Sequence, residues 1–197
     1  MKMTIYIFIV ILLGILCGYF VLPDVNLNIT IDVILSLTIF FIGIGIGQNK
    51  HIFKKLKQTG LKILALPLGT IIGSLCGGFL AGILLKRSLT LSLAIASGFG
   101  WYSLSAGLLL PVGGETVATI GFLTNVFREM IAFLIIPFVA RKISPFSAIS
   151  IGGATSMDTT LPIISRSTSE EYVLISFIHG VLLSLTVPIF VQFFASL

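Results

Sequence analysis

The sequence predicts an all-α integral membrane protein with about five transmembrane helices and two opposed re-entrant, broken-helix hairpins, arranged like an inverted repeat. Three observations carry that expectation. Of 197 residues, 56% are hydrophobic and only 10% are charged, against roughly 25% charged in a soluble domain. Five stretches are apolar enough, at about 20 residues, to span a bilayer. Two further apolar segments lie between them, but Gly, Ser, Thr and Pro interrupt them.

The spans are expected at 4–22, 30–47, 63–85, 117–140 and 172–195, within a single transporter-like domain over 1–197. The N-terminal run 1-MKMTIYIFIVILLGILCGYF-20 exceeds the h-region of a signal peptide and no small-x-small site follows, so it reads as a retained first span. Cys17 and Cys76 sit inside apolar runs without further ligands nearby; they read as buried packing residues rather than metal ligands, and no metal or other cofactor is expected. The net charge of +5 does not point to a nucleic-acid partner, because the cations cluster in loops beside apolar spans and so encode topology in the lipid bilayer.

The loop 48-QNKHIFKKLKQTGLK-62 holds five lysines, and the positive-inside rule puts it in the cytoplasm. The acidic loop 23-PDVNLNITID-32 is then external and the N-terminus internal. Span three ends outside at Lys86 and Arg87, against the rule, while Arg141 and Lys142 should be inside. Segment 89–110 must therefore begin and end on the outer face. Segment 146–164 begins and ends on the inner face if Arg166 is cytoplasmic, which leaves the C-terminus outside. This arrangement keeps nine of twelve Lys and Arg residues inside. The alternative, in which both broken segments cross fully, moves Arg141 and Lys142 outside.

The two broken segments also align, 92-SLAIASGFGWYS-103 with 146-FSAISIGGATSM-157, through Ala94/Ala148, Ile95/Ile149 and Gly98/Gly152. Opposed copies of this kind follow the inverted-repeat logic of secondary transporters. Non-helical backbone at membrane depth survives only where protein or a water-filled cavity surrounds it. Gly98, Gly100, Gly152 and Gly153 are the residues that can take such conformations and admit a close neighbour. Amide and carbonyl groups freed at the breaks then offer partners to ions and polar solutes. Ser97, Ser103 and Ser105 add hydroxyls to the first segment, and Trp101 and Tyr102 add aromatic faces. Thr155, Ser156, Thr159 and Thr160 surround Asp158 in the second.

Span four is centred on Arg128 and Glu129, where a charge is expensive, about 2.5–3.5 kcal/mol on insertion scales, and normally faces a cavity or a partner. Adjacent helical residues point about 100° apart, so the two do not neutralise each other well, although Arg128 could reach another helix. Asn125 lies one turn before Glu129 on the same face. His179, inside the last span, reads either as a hydrogen-bonded packing residue or as a proton relay. Glu115, after Pro111, Gly113 and Gly114, reads as a solvated loop charge. Desolvation and mutual repulsion favour protonation of two carboxylates sharing a low-dielectric cavity. Glu129 and Asp158 together would therefore hold either protons or a cationic solute, which is the physical basis of proton antiport. No nucleophile–base pair or metal-ligand cluster points to an enzyme.

The motifs 96-ASGFGWYSLSAG-107, 125-NVFRE-129, 152-GGATSMDTTLP-162 and 179-HG-180 resemble, in this order, those of the lysine exporter LysO family. The resemblance covers what corresponds to the C-terminal two-thirds of single-chain members. It implies a bacterial inner-membrane exporter of L-lysine and its analogues, with Glu129 and Asp158 as the essential intramembrane acids. It also implies a small membrane partner subunit or a homodimer to complete the transporter. Two other readings stay open: a transporter of another small solute, and a non-transporting subunit of a two-part exporter.

Overall fold

The computed structural model describes residues 64–197, apart from the side chains of Glu170 and Glu171, and scattered residues between Ile9 and Gln48. The expected spans 4–22 and 30–47, and the basic loop 48–62, fall largely outside the described residues. The chain divides into two compact units, Met1–Leu37 and Thr38–Leu197. In the first, residues 12–14 and 16–20 are helical, and the Tyr19 and Phe20 rings meet edge-on at 4.8 Å.

In the second unit, α1 (Ala65–Leu84) is a 20-residue apolar helix. It ends in a left-handed residue, Lys86 (φ 52), with Arg87 N donating to Gly82 O at 2.9 Å. That bond closes the carbonyl ends of the helix. The Ser88 hydroxyl accepts from Leu91 N and caps α2 (Leu89–Ala96). Small residues let α2 return directly along α1. A Cβ on Gly78 would fall 2.5 Å from Ala96 Cβ, and one on Gly82 would fall 2.9 Å from Ser92 Oγ.

After a break at 97–101, α3 runs Tyr102–Lys142, but Gly114 (φ 68, ψ −173) leaves helical geometry inside it. The contacts show what that glycine does. Leu109 and Ile95 both lie against Gly121, Ser105 bonds to Asn125, and the Tyr102 ring packs edge-on to Phe122 at 5.4 Å. The arms 102–113 and 115–142 therefore run antiparallel, with the chain reversing at Gly114. Ile95, on the incoming α2, lies beside the same Gly121 as Leu109 on the outgoing arm.

The second broken segment is built similarly. Ser144 caps α4 (Pro145–Gly152), accepting from Phe146 N, and Pro145 suits the first turn, where no amide partner is needed. Gly153 (φ 61) then stops the helix. A 3-10 turn, Gly153–Met157, leads through Asp158 to α5 (Leu161–Ser167) and then to α6 (Glu170–Ala195). Phe146, at the start of α4, meets Tyr172, at the start of α6, with ring centroids 5.2 Å apart. The chain thus leaves and returns at one end. Ala132, Ile136 and Val139 of α3 enclose Ala148 and Ile149 of α4 and Ile164 of α5 in one buried cluster.

Among the described residues, three helices are long and apolar enough to cross a membrane: Ala65–Leu84, Tyr102–Lys142 and Tyr172–Ala195. One expectation needs correction. Cys17 and Cys76 are exposed, not buried. In lipid the outer face of a helix is as apolar as its packed face, so an apolar setting in the sequence does not distinguish the two.

Candidate functional site

The two breaks meet. Ala154 N donates to Phe99 O at 2.8 Å, a backbone bond between segments that share no secondary structure. Unusual backbone on both sides makes it possible: Phe99 (φ 48), Gly100 (φ 104) and Gly153 (φ 61) all have positive φ. A Cβ on Gly153 would collide with Phe99 O, so only glycine admits the approach at that position. α6 makes room as well, since a Cβ on Gly180 would lie 2.8 Å from Ala154 O.

Asn125 holds the first tip. Its Oδ1 accepts from Gly100 N at 2.8 Å, and its amide nitrogen donates to Gly121 O at 2.9 Å, with longer bonds to Ser105 Oγ and Ile95 O. The residue is 2% exposed and its polar atoms are committed to protein partners. Gly98 presses directly on the same amide.

His179 holds the second tip. Its Nδ1 lies 2.9 Å from Ser156 Oγ and its Nε2 lies 2.9 Å from Thr70 Oγ1 on α1. Ser156 and Ser176 also exchange hydroxyl-to-carbonyl bonds, at 3.0 and 2.8 Å. The imidazole is a fully partnered bracket between α1, α6 and the tip. Of the two readings open for it, this geometry favours packing.

The acids gather beyond the second tip. Glu129 is half-buried and Asp158 keeps an exposed side. Glu129 lies in electrostatic range of Asp158, and the Tyr102 hydroxyl lies in range of both. Asp158 Oδ1 accepts from Thr159 N. The Thr159 hydroxyl faces both carboxyls yet closes a proper hydrogen bond with neither. It is a buried hydroxyl without a hydrogen-bond partner beside two acids. Such an atom is usually a site of strain or of unfilled function.

Ser97 is buried and its hydroxyl donates to Leu93 O at 2.7 Å within its own helix. Thr155 turns back to Gly152 O at 2.7 Å. Trp101 is partly buried, whereas Ser103 is exposed. Among the described residues no group of three or more His, Cys, Asp or Glu side chains converges in a way that would hold a metal. Three polar participants escaped the sequence reading: Thr70 and Ser74 on α1, and Ser176 on α6. The hydroxyls of Thr70 and Ser74, four residues apart on an apolar helix, were the available signal for the first two.

Comparison with known proteins bears on this arrangement. The family described as Lysine exporter LysO matches residues 8–195. The Lysine exporter LysO of Escherichia coli strain K12 is 37% identical over 164 residues, covering 82% of this chain and 54% of the relative. The chain thus spans about half the length of that protein. A Haemophilus influenzae protein named "Putative lysine exporter" is 36% identical over 165 residues, covering 83% of each chain. No solved structure matches.

Proposed function

This chain belongs to the lysine exporter LysO family, and from that premise we propose that it exports L-lysine and lysine analogues from the bacterial cytoplasm in exchange for protons. The observation that carries the proposal is the grouping of Glu129, Asp158, Tyr102 and Thr159 beside two joined helix breaks. A lysine side chain brings an ammonium that two carboxylates can hold. Protons compete for the same oxygens, so loading one cargo releases the other. Tyr102 and Thr159 supply hydroxyls that can bridge the carboxyls in either state.

The topology we propose is five spans with two re-entrant hairpins entering from opposite faces, the N-terminus inside and the C-terminus outside. Helix length supports it. At 1.5 Å per residue, α2 and α4, with eight residues each, reach about 12 Å, far short of the ~30 Å hydrocarbon core. The folded-back arms and the bond between the tips support hairpins that meet at their breaks. Ala94 and Ala148, paired in the internal repeat, are both fully buried, as matching positions of two copies should be.

The test is resistance to a toxic lysine analogue in a host lacking its own lysine exporter. The chain is expressed alone, to allow for self-assembly into a homodimer, and together with a candidate small membrane partner. Resistance with reduced intracellular analogue in either arrangement supports export. Membrane-inserted protein that confers none in both arrangements refutes it. A radiolabelled panel of cationic amino acids and organic anions separates lysine from another small solute.

A further inference from the structure

Arg128 takes no part in the acidic group, although it adjoins Glu129 in sequence. Neighbours on a helix diverge by about 100°, and here they straddle the second tip. Glu129 faces Thr159, at the tip's far end. Arg128 lies against Gly153, at its near end: a Cβ there would come 3.1 Å from an Arg128 terminal nitrogen. The other terminal nitrogen donates to Ser74 Oγ of α1 at 2.8 Å. That bond aims the planar head.

A guanidinium carries five N–H donors, and one of them is assigned to Ser74. Among the described residues no carboxylate lies close enough to offset the charge; His179, the nearby titratable group, is already held by two hydroxyls. A partly buried cation at membrane depth without an anion is costly to keep, and Arg is suited to planar, two-point recognition of carboxylates. The tip therefore carries an acidic pole at Asp158 and Thr159 and a cationic pole at Gly153. A zwitterionic amino acid with a cationic side chain has the matching charges.

We propose that Arg128 is the substrate's carboxylate-binding residue, oriented by Ser74, so that one amino acid is read at both poles of the second tip. The inference rests on the export reading above. It extends that reading from a cation site to a site for an α-amino acid.

The test is equilibrium binding to the purified chain of radiolabelled lysine and, separately, of radiolabelled cadaverine, the diamine lacking the carboxylate, each with competition by both unlabelled ligands. In wild type, lysine should compete better than cadaverine. In Arg128→Gln, lysine should weaken by about tenfold to a hundredfold, the range for losing a charge-assisted hydrogen bond, while cadaverine is unchanged. The ratio between them then collapses. Arg128→Lys, which keeps the charge without the fork, should fall in between, and Ser74→Ala should follow in the same direction with a smaller loss. If Arg128→Gln weakens both ligands equally, or neither, the residue is only a bracket between α1 and the tip and the inference is wrong. If wild type binds cadaverine but not lysine, the carboxylate is not read and the inference also fails. A wild-type chain that binds neither ligand, both alone and together with the candidate membrane partner, overturns the export reading itself, and the inference with it.

Discussion

Gly153→Ala is the most informative single-atom change the structure offers. The added Cβ carries two penalties. Gly153 has φ 61, a conformation other residues hold at about 1–3 kcal/mol. The Cβ also strikes Phe99 O, the acceptor in the 2.8 Å bond from Ala154 N. Displacing that bond leaves a buried amide and carbonyl unsatisfied, another ~1–3 kcal/mol. The sum, about 2–6 kcal/mol, is a large share of the ~5–15 kcal/mol that holds a typical domain folded. Gly114→Ala is the control. Gly114 also has positive φ (68), but nothing lies within 4 Å of its Cβ position among the described residues, so it bears only the conformational part, about 1–3 kcal/mol. Thermal unfolding of detergent-purified protein, followed by fluorescence-detected size exclusion, ranks the two, and analogue resistance gives the functional effect. Gly153→Ala should unfold at the lower temperature and lose export. Equal stability of the two variants, with export intact, would refute the claim that the breaks are held together at that bond.

Asn125→Ala should destabilise the first tip by about 1–3 kcal/mol, because Gly100 N loses its buried acceptor; an unfolding temperature equal to wild type would contradict this. Single-cysteine labelling with an impermeant reagent, in a background without Cys17 and Cys76, tests the topology. Position 87 should react from outside and positions 55 and 143 should not, while labelling at 143 would reject the proposal that α3 ends in the cytoplasm.

Helices α1 and α6 were legible because a 20-residue apolar run has few other fates. Their lengths, Ala65–Leu84 and Glu170–Ala195, lie close to the expected 63–85 and 172–195. The turn between the first broken segment and span four was legible only in kind. Pro111, Gly113 and Gly114 read as a surface loop, but helix continues to Gly113 and the reversal is confined to Gly114. Packing of Leu109 on Gly121 and Ser105 on Asn125 explains that economy, and no local pattern reveals such contacts. Periodicity put Asn125 on the face of Glu129 but could not tell that the first tip's backbone would claim its amide. The same limit applied to His179, whose two hydroxyl partners lie 23 and 109 residues away. Arg128 was expected to have the option of another helix; that the helix is α1, through Ser74, required the fold.

The central claim is that charge at Glu129 and Asp158 alternates between proton and substrate. Its most direct measurement is lysine flux driven by an imposed pH gradient in proteoliposomes, comparing wild type with Glu129→Gln and Asp158→Asn. Each substitution keeps the shape of the side chain and removes the titratable group. Wild-type flux should collapse when a protonophore dissipates the gradient, and neither inserted, folded variant should show gradient-driven flux. Near-normal, pH-dependent lysine transport by either neutral variant would contradict it.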